Sequence, residues 1–452
     1  MENMNKAAVI GYMVVTGKIT LESPLLIGDG TGDESYESTK DIHVLKNKQE
    51  QPFIPGTSLA GVLRDYVMSC GDEDAAELFG NADTEQSMLQ ISDIVLENAV
   101  LTTRDGVRID SVTGTSVNGA KFDYEAVNKG ADGQLKISIK LRKKHENKVQ
   151  DIRKAFIKLR ARLEEGIAVG GKTATGFGRI KMTETASGYY NFGNPADVKA
   201  WLLDYENIPK NASDKITEKC KATVAETNRL IVDADFAIRS AMLIRDLDVS
   251  VEDRDKNISA VFKRSGNDFV IPGTSLKGVL RSHSAYILDV IGCPAKFANE
   301  FINNLMGYSE DNEHKAKSRL YVEETYIKNG VKECPQPRTR IDRITGGVVR
   351  SALFSTKPIW QKEQGCATVH IHFEIKNAKE EEVGLALLLL RDMWLGKVAI
   401  GGEKSIGRGT LNGISAKVSY NGDYELGTKG KVTKGNKDTL ESYVKALCVK
   451  GN

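Results

Sequence analysis

Residues 166–173, GIAVGGKT, match the pattern GxxxxGK[ST] letter for letter, that of a loop whose amides and lysine cradle nucleotide phosphates. That chemistry needs a strand before the loop and a helix after it. Here a helical apolar spacing precedes it, Val149 to Glu165, and a Gly-interrupted strand, TGFGRIKM, follows. Nucleotide hydrolysis is therefore rejected on context. The acids Asp29, Asp33, Glu34, Glu37 and Asp41 form a second constellation. Counted from Asp29 as a calcium loop, the run places Lys40 where the bidentate glutamate belongs. The cysteines Cys70, Cys220, Cys293, Cys334, Cys366 and Cys448 form no CxxC pair, which excludes a zinc knuckle and a disulfide framework and predicts reduced thiols in the cytoplasm.

The elements that position such groups recur. IPGTSLAGVLR (Ile54 to Arg64) and IPGTSLKGVLR (Ile271 to Arg281) share ten of eleven residues at an offset of 217, which also aligns KITLESPLLI (Lys18 to Ile27) with DFAIRSAMLI (Asp235 to Ile244). RIDSVTGTSVNGAKF (Arg108 to Phe122) pairs with RIDRITGGVVRSALF (Arg340 to Phe354) at an offset of 232. GGKTATGFGRI (Gly170 to Ile180) pairs with GGEKSIGRGTL (Gly401 to Leu411) at 231. Three motifs in the same order, twice, make the chain a tandem duplication. The units are expected at 1–222, including a linker with a short helix near Trp201, and 223–452, ending in a weakly ordered tail after Lys417 with one helix near Leu440.

After each IPGTSL, apolar residues fall at helical spacing: Leu59, Val62, Leu63, Tyr66 and Val67, then Leu276, Val279, Leu280 and Ile287. Thr57 and Ser58, like Thr274 and Ser275, are suited to cap these helices, and a helix start with free N–H groups suits a phosphate. The same residues also serve a turn and cap with no ligand. Alternation marks strands with Leu135, Ile137, Ile139 and Leu141 inward, and with Val369, Ile371, Phe373 and Ile375 inward. An amphipathic helix follows each, Val149 to Glu165 and Glu382 to Leu395. The order strand, helix, strands, helix, strand predicts an α+β chain of two tandem ferredoxin-like domains, the topology of the RNA-recognition module.

These motifs resemble the RAMP superfamily, in particular the backbone subunits of type III CRISPR effector complexes. The likeness rests on IPGTSLxGVLR, the triplets LFG (Leu78 to Gly80) and LMG (Leu305 to Gly307), RIDxxTG, and the Gly-rich loops ending TGFGRI and IGRGTL. It implies two fused units that grip guide CRISPR RNA, with inserted thumb hairpins dividing the guide–target duplex, and other subunits of the complex as partners. Arg108, Arg340 and Arg343 would then lie near the RNA. Lys172, Thr173 and Arg179, with Lys404, Ser405 and Arg408, sit among glycines that let amides approach an anion. Lys277 and Arg281 lie on the first helix of the second copy, and Arg64 on that of the first, where Ala60 replaces Lys277. Such contacts give salt-dependent affinity without sequence preference, which suits a protein whose guide reads the target.

Members that cut target RNA use an aspartate between the first strand and IPG, which the resemblance carries onto Asp41, fourteen residues before Pro55. RNA supplies its own 2′-OH nucleophile, so one carboxylate acting as base or as ligand to Mg²⁺ or Mn²⁺ suffices. The alternative is one solvated acid among several. In the second copy the offset of 217 sets Ile258 opposite Asp41, and Asp255 comes into register only with a gap, with Asn257 nearer. The competing functions are a non-cutting scaffold and a guide-processing endoribonuclease using His43.

Lys+Arg 63 against Asp+Glu 61 leaves a net charge of +2, so RNA must be met by local basic patches. With 40% hydrophobic and 27% charged residues the chain is globular. No apolar run reaches membrane-spanning length and no export signal stands at the N-terminus, so no membrane partner is expected.

Overall fold

The computed structural model describes residues 6–30, 42–81, 85–110, 113, 115–221, 228–246, 250–255, 257–309, 315–327, 329–363 and 368–451. The chain divides into two compact units, one of Met1–Thr173 and Phe177–Ala225, the other of Ala174–Gly176 and Glu226–Asn452.

In the first unit the chain runs through β1 (Val9–Leu21), α1 (Gly56–Ser69), β2 (Leu89–Ile91), β3 (Leu101–Ile109), β4 (Ser116–Val127), β5 (Asp132–Arg142), α2 (Val149–Glu165) and β6 (Arg179–Asn191). The second repeats this as β7 (Leu230–Ile238), α3 (Gly273–Val290), α4 (Ala295–Met306), β8 (Leu320–Val322), β9 (Gln336–Ile341), β10 (Val348–Lys357), β11 (Thr368–Ile375), α5 (Glu380–Trp394) and β12 (Leu411–Ser419). The antiparallel sheets are ordered β6-β1-β5-β2 and β12-β7-β11-β8. The ferredoxin-like expectation holds in both: each unit's first strand lies between the strand after its Gly-rich loop and the one that follows its hairpin.

Alternation fixes which face is buried. Met13, Val15, Ile19 and Leu21 of β1 join Leu135, Ile137, Ile139 and Leu141 of β5 beneath Leu59, Leu63 and Val67 of α1 and Phe156 and Leu163 of α2. In the second unit Val369, Ile371, Phe373 and Ile375 meet Leu276 and Leu280 of α3 and Val383 and Leu390 of α5. A one-residue slip in either sheet would turn these apolar sets into water.

Two expectations are corrected. The segment after Lys417 is ordered: β13 (Asp423–Leu426) and β14 (Val432–Lys434) extend the second sheet, and α6 (Lys437–Gly451) lies on α5. It buries Tyr424, Leu440, Tyr443 and Leu447, apolar residues too dispersed for a linear reading to weigh. The helices after IPG are not capped by Thr or Ser, because Pro55 and Pro272 take the N-cap positions and neither helix has a side-chain cap there. In the first unit the carboxylate of Asp93 accepts the Gly56 N–H at 2.8 Å instead. The linker helix near Trp201 spans Pro195–Leu203 and is capped by Asn194.

Candidate functional site

Beyond the end of β1 the chain is stitched to two neighbours. Leu25 N–H donates to Val127 O at 2.9 Å, at the root of the β3–β4 hairpin, while Gly178 N–H donates to Pro24 O at 2.6 Å and Gly171 N–H to Leu26 O at 2.7 Å. The second unit repeats the Gly-loop stitches residue for residue: Gly409 N–H to Ala241 O at 2.9 Å and Gly402 N–H to Leu243 O at 2.7 Å. The glycines are needed because the loop crosses backbone at close range. Gly178 (φ 77°) and Gly409 (φ 78°) would put a Cβ 1.9 Å and 2.0 Å from Val169 O and Ile400 O. Several loop amides are thus spent inside the fold rather than offered to an anion.

The hairpins β3–β4 and β9–β10 are longer than the RIDxxTG segments and close on the same turn chemistry. Asp110 Oδ1 accepts Thr113 N–H at 2.7 Å, and Asp342 Oδ1 accepts Thr345 N–H at 2.8 Å and Ile344 N–H at 3.0 Å. Those amides, with the Thr345 hydroxyl, hold the Asp342 carboxyl below its ordinary pKa. The Asp and Thr of the motif therefore shape a turn, while Arg108, Arg340 and Arg343 stand exposed. Apolar side chains are exposed on both hairpins, among them Ile109, Phe122, Ile344 and Phe354.

The acid-rich loop meets the first hairpin at its root. Ile42 N–H donates to Asp123 O and Ile42 O accepts Glu125 N–H at 2.9 Å, a parallel bridge to Tyr124. His43 Nδ1 lies 3.5 Å from Glu125 Oε2. Asp41, the preceding residue, lies outside the described residues, as do Asp33, Glu34 and Glu37. In the second unit Ser355 N–H donates to Asn257 O at 3.2 Å and Ile258 bridges Ser355 in parallel. Asp255 ends the short helix Val251–Asp255, whose Asp253 carboxylate is held at 3.2 Å by Lys357. Among the described residues no group of three or more His, Cys, Asp or Glu side chains could hold a metal ion.

The expected phosphate ligands divide into two groups. Thr57, Ser58, Thr274 and Ser275 lie in the first turns of α1 and α3, and Arg64, Lys404 and Ser405 are exposed. Thr173 opens a 3₁₀ turn, and Arg179 Nε donates to Glu22 at 2.7 Å. The others are used internally. Lys277 Nζ donates to Ser318 Oγ at 2.6 Å and to Leu320 O at 3.2 Å, and burial, then Arg281, push its pKa down to about 8. Arg281 donates to Gly307 O at 2.9 Å and to Asn303, tying α3 to the end of α4. Arg408 is buried and bonded to Glu403, Gln336 and Thr356. Lys172 (φ 56°) lies with Nζ 4.8 Å and 4.3 Å from the ring centroids of Phe122 and Tyr124, and burial lowers its pKa. Sequence reasoning missed this aromatic seat, although Phe122 and Tyr124 stand two apart on one strand and so share a face.

A model of the RAMP superfamily matches residues 18–181 and 210–412. No curated protein matches the chain. Among solved structures, a chain of the cryo-EM structure of type III-B Cmr-beta bound to cognate target RNA is similar at 15% identity and a TM-score of 0.30; the match covers 39% of this chain and 61% of that one. A chain of the apo state of type III-B Cmr-beta is similar at 12% identity and a TM-score of 0.31, over 38% of this chain and 96% of that one. With the duplicated motifs placed at matching points of two ferredoxin-like sheets, and the family match spanning most of its length, the chain belongs to the RAMP superfamily and carries two of its units in tandem.

Proposed function

We propose that this chain is a guide-RNA-binding backbone subunit of a type III CRISPR interference complex, holding the guide–target duplex against its two hairpins and cleaving target RNA in the first unit through Asp41. The observation that carries the reading is the zipper between Ile42 and the hairpin strand at Asp123 and Glu125, which delivers the residue after Asp41 to the hairpin root. A backbone held there needs only a base or a cation ligand to let its 2′-OH attack in line. Mg²⁺ or Mn²⁺ is commonly held by one or two carboxylates together with the substrate's phosphates, so Asp41 and the RNA would hold it without a protein cage. In the second unit Ala260 bridges Thr356, the counterpart of Tyr124, and the candidate carboxylate, Asp255, stands five residues before it.

The test is the complex assembled on a defined guide, given end-labelled complementary RNA and Mg²⁺. Asp41→Ala is expected to remove one discrete product with target binding intact, and Asp255→Ala a second. An unchanged ladder in both variants would make the chain a scaffold whose partners cut.

A further inference from the structure

At the far end of the first sheet from its hairpin, two cavities of about 410 and 710 Å³ adjoin, sharing Glu85, Met88, Lys144 and His145. The first reaches Lys6, Lys140 and Arg142; the second reaches Arg64 and Lys148. Their position follows from register: Arg142 pairs with Val9, at the start of β1, whereas the hairpin joins the sheet beside Asp132, which pairs with Thr20.

Among the described residues that line this trough, cations outnumber acids. Glu85 is held by Lys144 at 2.9 Å and Glu77 by Lys148 at 2.8 Å, while Asp72 is bonded to Lys158. The Arg142 side chain donates to a carbonyl, Ala7 O, at 2.8 Å, and no carboxylate among the described residues is paired with it. Among the described residues no carboxylate is paired with Arg64, Lys6 or Lys140. His145 adds no further cation: burial and then Lys144 lower its pKa, and its Nδ1 accepts the Arg142 N–H at 3.2 Å. Between the cations stand the amides of Gln86 and Gln90 and the apolar Met88.

We infer that this trough is a second RNA track, separate from the Gly-rich loops and the hairpins, which holds a single-stranded segment through Arg64, Lys140, Arg142 and Lys6. A small anion filling one cavity would meet Arg142 and Lys140, or else Arg64; a chain of phosphates meets them all. Cations spaced along a groove give sequence-tolerant, salt-dependent binding of single strands. The side-chain amides can accept and donate to base edges without fixing one base. The inference rests on the reading of the chain as an RNA-bound subunit.

The test compares the assembled complex of the wild type with two variants, Lys6→Glu/Lys140→Glu in the trough and Lys404→Glu/Ser405→Ala at the second Gly-rich loop. Each is titrated with end-labelled single-stranded RNA over a salt series, with thermal melting to confirm folding. The trough variant should bind about tenfold more weakly at low salt, and its log–log salt slope should fall by about 0.7 for each phosphate no longer neutralised. RNA affinity weakened only by the loop variant would overturn the trough and leave the RNA-bound subunit standing. If neither variant weakens binding, both readings fail. A trough variant that keeps RNA but loses a partner subunit would show the groove to be a protein-docking surface and the inference wrong.

Discussion

Lys172 and Glu403 occupy the same place in the two Gly-rich loops, in the same left-handed backbone (φ 56° and 58°), yet plug the hairpin root with opposite chemistry. In the first unit the Lys172 ammonium sits over Phe122 and Tyr124, with Phe177 against Tyr124 at 6.1 Å. In the second unit Glu403 is bonded to Arg338 and to Arg408, which replaces Phe177, and Arg408 reaches Thr356, which replaces Tyr124.

The ionic plug should be the more fragile to truncation. With the Glu403 and Arg408 side chains only 7% and 4% exposed, Glu403→Ala leaves buried guanidinium charge uncompensated and should cost about 3–5 kcal/mol. Lys172→Ala removes a cation–π seat and should cost about 1 kcal/mol. Denaturant unfolding gives the totals, and amide exchange should rise along β9 and β10 for Glu403→Ala alone.

Gly178→Ala and Gly409→Ala should each destabilise their own unit by about 2–4 kcal/mol, since a left-handed alanine adds strain to a clash with backbone oxygen. Gly61→Ala, in α1 with open space around it, should be neutral or slightly stabilising. Equality of the three melting temperatures would refute the close crossing of loop and strand.

The outer face of the second sheet predicts a stability optimum in mildly acidic solution. Burial disfavours charge on His372, but its hydrogen bonds to Glu374 and Asp233 outweigh it and raise its pKa from 6.5 to about 9. Burial also works against the Glu374 carboxylate, and His372 and Arg229 overcome it, taking it from 4.5 to about 2. The histidine's contribution is complete below 6.5 and is lost as pH rises through 9; the glutamate's is complete above 4.5 and is lost as pH falls toward 2. Urea midpoints against pH should show both limbs, and His372→Gln should flatten the alkaline one.

Asp342→Ala removes the acceptor of two amides and a hydroxyl at the hairpin turn. Because the turn is exposed, global stability should change little. On the proposed function, the spacing of target cleavage in the assembled complex should blur, read as a spread of product lengths on a gel.

Period-2 spacing found the central strands, and helical spacing found the helix Val149–Glu165 to the residue, because burial of one face writes itself into a linear pattern. The copies were legible because Pro, Gly and Thr recur at fixed offsets. The plugs were not, because their partners are brought together by loop crossing: nothing near Glu403 announces Arg338, 65 residues away. The helix starts were misjudged for a related reason. Local composition favoured Ser and Thr caps, whereas the first helix takes its acceptor from Asp93, 37 residues on from Gly56.

The strand order of each sheet bears on how the polypeptide is made. β1 lies between β5 and β6, so during synthesis β1 stays paired on one side only until β6 has emerged. Among the described residues, that sheet is built of strands of the first unit alone. The leading copy can therefore close its sheet while its twin is still being synthesised.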